Sequence, residues 1–204
     1  MAPIDFLASN VEYNNLNGEG PTTTDPTQIL VSNVGSTTPT SGATMGMRIV
    51  SDSVYQAHKP NRNGPNAKGF FLLNTRGEVD TILNFTFVDD NSQDPVTVPN
   101  FVISIYDFDR GCSGQLAGLR SKTCDGGIFD LGEVVMAKSS TADPAQGFDT
   151  YITSGGTSEV EIGAVTGGWT SFSATLAGTG ADNPGTVQGL TEDQLNKAVS
   201  LYYR

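Results

Sequence analysis

Residues 76–111, RGEVDTILNFTFVDDNSQDPVTVPNFVISIYDFDRG, decide the fold class. Val79, Thr81, Leu83, Phe85 and Phe87 alternate with Asp80, Ile82, Asn84, Thr86 and Val88. Period-two alternation built from β-branched and aromatic residues predicts a strand over 79–88 with one well-buried face. The run DDNS at 89–92 ends it with turn-forming side chains. Pro95 and Pro99 bracket a short extended piece, because neither can donate a ladder hydrogen bond. A second strand is expected over 101–109, with Phe101, Ile103 and Ile105 on one face and Tyr106 and Phe108 on the other. This pair of strands is expected at the centre of an antiparallel β-sandwich.

Towards the N-terminus, GFFLLN at 69–74 is continuously apolar and predicts a short strand covered on both faces. QAHKPNRNGPNAK at 56–68 is a loop, with Asn63-Gly64-Pro65 as strong turn punctuation. MRIVSDSVY at 47–55 and QILVSNV at 28–34 read as strands separated by a Ser-, Thr- and Pro-rich loop; Met47, Ile49 and Val54 are the apolar members of the first. Residues 1–27 read as a polar arm with at most one strand, at 6–13, which either packs along an edge strand or reaches a neighbour.

Towards the C-terminus, strands are expected at 128–137 and 147–153, and a hairpin at 158–165 and 169–176 across Thr166-Gly167-Gly168. Phe172, Ala174 and Leu176 share a face of its second arm, and Trp169 reads as a core or rim residue. Thr191-Glu192-Asp193-Gln194 matches a capping box, and its two acids suit the positive end of a helix dipole. A short helix beginning near Glu192 should pack Leu195 and Ala198 inward and pass into a strand over 199–203. The expectation is therefore an all-β chain: an antiparallel β-sandwich of about ten strands with one short helix near the C-terminus. Residues 1–27 form the arm and 28–204 the sandwich domain.

Charge narrows the partners. The chain has 204 residues and a net charge of −11, with 11 Lys and Arg in all. Phosphate backbones and anionic lipid surfaces both need clustered cations, so neither nucleic acid nor a membrane surface is an expected partner. No apolar run reaches the roughly 20 residues of a membrane span. No signal-peptide core is seen, and MAPIDFLASN reads as a mature or trimmed N-terminus carrying an initiator Met. The two cysteines, Cys112 and Cys124, flank a polar loop containing GQLAGLRSKT. They admit two readings: a disulfide worth ~3 kcal/mol, or a pair of free thiols. With one His in the chain, a Cys/His zinc site is not expected.

Catalytic chemistry finds little to use. Any Ser/His/Asp or Cys/His arrangement would depend on His58, which sits in a Pro/Asn/Gly loop. There is no G-x-S-x-G elbow, phosphate loop or dinucleotide fingerprint. No carboxylate pair stands out as a glycosidase acid and base. No catalytic residue and no cofactor are expected. Asp107 and Asp109 project on one side of a strand end and, with Asp125 or Asp130, are weak candidates for Ca²⁺. The EF-hand pattern is not matched, and turn-forming Asp is the simpler reading. Asn84-Phe85-Thr86 is a glycosylation sequon placed in mid-strand. His58, Lys59, Arg62 and Lys68 make the one locally basic stretch. It is either a solvated loop or a docking site for an acidic patch on another subunit, which makes these four residues the self-assembly candidates.

The order of motifs carries a resemblance. ILVSNV is followed by GEVDTILNFTFVDD, PVTVPNFVISIYDFDRG and GFDTYIT, then by a hydrophobic hairpin, GADNPG and LTEDQLNKAVSLYY. This order resembles the pyrenoid shell proteins of diatoms and other marine algae, across most of residues 28–203. The resemblance implies a non-enzymatic structural protein that self-assembles into a sheet or tube. Such a shell encases the Rubisco-containing pyrenoid in the plastid (chloroplast) and supports CO2 fixation. The partners it implies are further copies of the chain and the Rubisco matrix, and no site residue transfers. Two other classes fit the composition: a secreted, extracellular carbohydrate- or Ca²⁺-binding sandwich module, and a sandwich-based hydrolase.

Overall fold

In a computed structural model, described for residues 4–36, 43–76, 81–98, 101–108, 112–113, 128–129, 134–137, 148–152, 158–164, 169–176 and 184–203, every strand pair is antiparallel. At 112–113, 128–129, 134–137, 148–152 and 164 the description is of backbone alone. Among the described residues, ten strands of four to eight residues and four two-residue pieces account for the sheets, with one short α-helix. The chain is all-β, as expected. Two compact units run over Met1–Pro99 and Asn100–Arg204. The stretch expected to form one domain, 28–204, is thus distributed over both.

The first unit contains β1 (Asn10–Asn14), β2 (Ile29–Ser36), β3 (Thr44–Ser51), β4 (Gly64–Pro65), β5 (Phe71–Leu72) and β6 (Leu83–Asp89). Its main sheet has the order β1-β2-β3-β6, and β4 pairs with β5. Directly opposed residues share a face, so Ile29, Ile49 and Phe85 line up, as do Val31, Met47 and Phe87. Ile29, Val31, Met45, Met47 and Ile49 are buried on that face, and Leu16, from a 3-10 turn lying against β3, is buried too. Leu30 and Val88 are buried on the other face. Between Val31 and Gly35, four residues of β2 pass while β3 advances two, and Asn33 in this bulge has φ 57°. Gly46 faces the same place: a Cβ there would lie 2.6 Å from the Val31 carbonyl oxygen and 2.8 Å from Asp90 Oδ1.

The strand pair from residues 76–111 behaves differently from expectation. The polar turn does fold back: Asp89 Oδ1 accepts the Asn91 and Ser92 amides, and Val88 bridges to Pro95. The Asp94 carbonyl accepts the Asp89 amide and the Phe87 carbonyl accepts the Val96 amide, both at 2.9 Å, so Pro95 sits at a position where its missing amide costs this short ladder nothing. β6 pairs with β3, whereas β7 (Phe101–Ile105) belongs to the second unit and pairs with β14 (Val199–Tyr203). The two strands are therefore not partners at one centre. The expected buried face is also corrected. Phe85 is 46% exposed while Val88, on the opposite face, is 1% exposed, since β6 ends the sheet and its outward apolar face is only half covered. Of 69–74 only Phe71–Leu72 is strand, and Leu72 is exposed, as is Val54 beyond the end of β3.

The polar arm is also placed. Its strand, β1, pairs with β2 of its own chain, and Asn15 and Leu16 behind it are buried. Of the two options for the arm, it packs along a sheet edge.

In the second unit, β7 is followed by β8 (Cys112–Ser113), β9 (Ile128–Phe129), β10 (Val134–Ala137), β11 (Phe148–Ile152), β12 (Val160–Ala164), β13 (Thr170–Ala174), α1 (Glu192–Asn196) and β14. Two three-stranded sheets, β10-β13-β12 and β11-β14-β7, share one core. Val160, Phe172 and Ala174 from one sheet meet Val199 and Leu201 from the other, with Phe108 among them. Along β14, Val199 and Leu201 are buried while Ser200 bonds Ser104 of β7 and Tyr202 is exposed, the alternation of a sandwich strand. Leu176, expected on the buried face of β13, lies past the strand's end and is exposed.

The capping box forms as read. Thr191 Oγ1 accepts the Gln194 amide at 3.3 Å and Gln194 Oε1 accepts the Thr191 amide at 3.0 Å. The inward face is corrected: Ala198 is buried, but Leu195 is exposed and Asn196 is buried in its place. With five residues the helix sets its face by how it ends, and there the Asn196 carbonyl accepts the Glu159 amide at 2.7 Å. Lys197 follows at 0% exposed, its Nζ 3.7 Å from Glu159 Oε2. The Lys197 carbonyl accepts the Phe108 amide, so the ends of three strands meet at this ion pair.

Truncating one member of a buried pair strands the other charge. Lys197→Ala is expected to lower unfolding free energy by about 3–5 kcal/mol in urea titration, while Lys197→Met with Glu159→Leu recovers most of the loss.

Candidate functional site

Beyond Ser51 the chain turns Tyr55 inward, to 1% exposure. Its hydroxyl donates to the Asn74 carbonyl at 3.1 Å and accepts from Asn63 Nδ2 at 2.8 Å. Asn63, also buried, accepts the Asn74 amide on Oδ1 at 2.7 Å. Its carbonyl accepts Asn14 Nδ2 at 3.1 Å, tying the loop to β1. Asn74 Oδ1 in turn accepts the Lys59 amide at 2.7 Å. Further along, Asn66 Oδ1 accepts the Lys68 amide at 2.9 Å and the Phe70 amide at 3.1 Å. Gly64 sits at φ 115°, a conformation that side chains disfavour.

Asparagine and glycine are therefore not loose-loop residues here. They supply the bonds and the backbone geometry that fix 55–74 in place. Outside this frame His58, Lys59, Arg62 and Lys68 are all exposed, and among the described residues none is in an ion pair. The structure brings the four basic candidates onto one fixed loop.

A cleft of about 300 Å³ lies in the same unit, lined by Glu12, Tyr13, Leu30, Ser32, Val88, Asp89, Asp90 and Gln93. Leu30 and Val88, both buried, give it an apolar floor. Its rim carries three carboxylates. Glu12 Oε1 accepts the Ser32 hydroxyl at 2.5 Å, and Asp90 Oδ2 accepts the Asn33 amide at 3.0 Å. Amides of Ser92 and Asn91 hold the Asp89 carboxyl below its ordinary pKa. Arg48 reaches the rim only to donate to the Gln93 carbonyl at 3.0 Å. No cation pairs with Glu12, Asp89 or Asp90 among the described residues. Sequence reading took Asp89 and Asp90 as turn formers and missed the cleft. Its signal is weak, because Glu12 lies more than seventy residues away and joins them only through the β1-β2-β3-β6 order.

Of the Ca²⁺ candidates, Asp107 alone lies among the described residues. Asp107 has φ 70° at the end of β7, a conformation Asp tolerates better than most residues. Asp109, Asp125 and Asp130 lie outside the described residues, as do Cys124 and the Cys112 side chain. Among the described residues no three His, Cys, Asp or Glu side chains gather to hold a metal ion. No described helix is long and apolar enough to cross a membrane. Comparison with protein-family models, with curated proteins and with solved structures finds no match.

The network makes two measurable predictions. Asn63→Ala leaves the Tyr55 hydroxyl and the Asn74 amide short of a partner and should cost about 1–3 kcal/mol by urea unfolding. Burial raises the pKa of Tyr55 and of Tyr203 above the ordinary 10.0. The folded state then holds the phenolic protons more tightly than the unfolded state does. That stability is complete below pH 10 and is lost as pH rises through the folded values, so midpoints measured above pH 10 should fall, and fall less in Tyr55→Phe.

Proposed function

We propose that this is a non-enzymatic structural protein whose work is self-assembly into an open sheet or tube. The pyrenoid shell proteins it resembles suggest the setting: a layer around the Rubisco matrix of a plastid. The observation that carries the reading is the fixed basic loop. Four exposed basic side chains stand on a rigid frame, without ion pairs among the described residues, in a chain of net charge −11. A preorganised patch loses little side-chain and backbone freedom on binding, and its sign is opposite to that of the molecule. A further copy of the same chain is then an electrostatically favoured partner.

The sheets supply a second kind of surface. β6 ends the first unit's sheet with Phe85 half exposed, and β7 and β12 end sheets in the second unit. Edge strands carry unpaired backbone groups and template further pairing unless blocked. A contact between different patches on successive copies need not close, so it propagates.

Light scattering and negative-stain microscopy of the purified chain test this. Open assemblies are expected at about 0.1 M salt or below, dispersing as added salt screens the charges. A monomer at high concentration across a range of salt would overturn the reading.

A further inference from the structure

The basic loop and the acidic cleft belong to one unit, and among the described residues neither is in an ion pair. Resting on the assembly reading above, we infer that the cleft between β1 and the 89–93 turn receives the basic loop of a second copy, head to tail. The cleft suits a long cationic side chain. Its floor is apolar, Leu30 and Val88, and its rim bears Glu12, Asp89 and Asp90. Lys and Arg have just this division, an apolar stem and a charged head. Tyr13 lines the same wall, and an aromatic side chain is a favourable neighbour for a guanidinium or ammonium group.

Both partners are preformed. On the loop side, Lys59 is anchored by its amide on Asn74 Oδ1, and Arg62 follows in a 3-10 turn whose amide bonds the Lys59 carbonyl at 2.9 Å. On the cleft side, two backbone amides hold the Asp89 carboxylate in place and Asp90 is pinned by the bulge at Asn33. Arg48 is a cation already at the rim; its Nη2 donates to the Gln93 carbonyl and it pairs with none of the three carboxylates, so they outnumber it. The loop and the cleft are different patches, so each copy offers a donor surface and an acceptor surface and the chain of contacts stays open.

Exposed charges allow a swap experiment. One variant carries Lys59→Glu and Arg62→Glu, the other Glu12→Lys; circular dichroism establishes that both keep the strand signal. Each alone should associate about tenfold more weakly than the original chain, since one side of every contact has then lost or reversed charge. Mixed one to one, they should pair, because the unaltered loop of the Glu12→Lys chain then meets the unaltered cleft of the other. On the unaltered protein, carbodiimide coupling of an equal mixture of ordinary and nitrogen-15-labelled chains should give mixed-isotope cross-links from Lys59 or Lys68 to Glu12, Asp89 or Asp90. An unaltered chain that assembles while the variants associate equally well, or whose mixed-isotope cross-links map elsewhere, overturns this contact and leaves the assembly reading standing. An unaltered chain that never associates overturns both.

Discussion

The hydrogen bond from the Asn63 amide to the Tyr55 hydroxyl holds the first unit's exposed surface in shape. Every buried backbone group needs a partner, and a long connection between strands has no ladder to supply one. Here asparagine takes the ladder's place. Asn63 and Asn74 lock the basic loop, Asn66 closes its distal turn, and Asn15 accepts the Gly20 amide while donating to the Asp25 carbonyl. Gly20 lets that last contact form, because a Cβ there would overlap the Asn14 carbonyl. A chain with modest apolar content thus keeps ordered loops through side chains that imitate backbone.

The second unit answers the same constraint with charge. Lys197 and Glu159 are both buried, and around them the Glu159 carbonyl accepts the Thr175 amide and hydroxyl while the Lys197 carbonyl accepts Phe108. A buried pair adds little net stability over an apolar replacement, but it strongly penalises a misplaced partner. The pair stands where β12, β14 and the end of β7 meet, so a slipped register there would leave one charge buried alone.

What could be read from the chain follows from how local the signals are. The capping box and the strand over 199–203 are set by neighbouring residues, and both form as read. The all-β class and the 158–176 hairpin rest on alternation and are found as well. Phe85 and Leu195 show where pattern fails. Alternation identifies a face, whereas burial depends on what lies opposite, and nothing in 79–88 says that β6 ends its sheet. The turn at 89–92 was legible, but not that β6 and β7 would fall in different units. The basic loop was visible as composition. Its rigidity was not, since the Asn63 partners are spread over residues 14, 55 and 74.

The place of β14 bears on how the protein is made. Ser104 and Ser200 are neighbours in the sheet and 96 positions apart in the chain. At ribosomal speed β7 waits on the order of 5–20 s for the strand that completes it. During that interval its edge is open and Ile105 lacks the Val199 contact it will later have. The first unit, whose strand partners all lie within its own sequence, is free to fold in the meantime. A nascent second unit is the vulnerable species, with slow long-range pairing and a waiting sheet edge. For a protein that would assemble through its surfaces, the order of synthesis therefore separates two kinds of edge: one that neighbours are meant to meet, and one that must stay unclaimed until its own chain arrives.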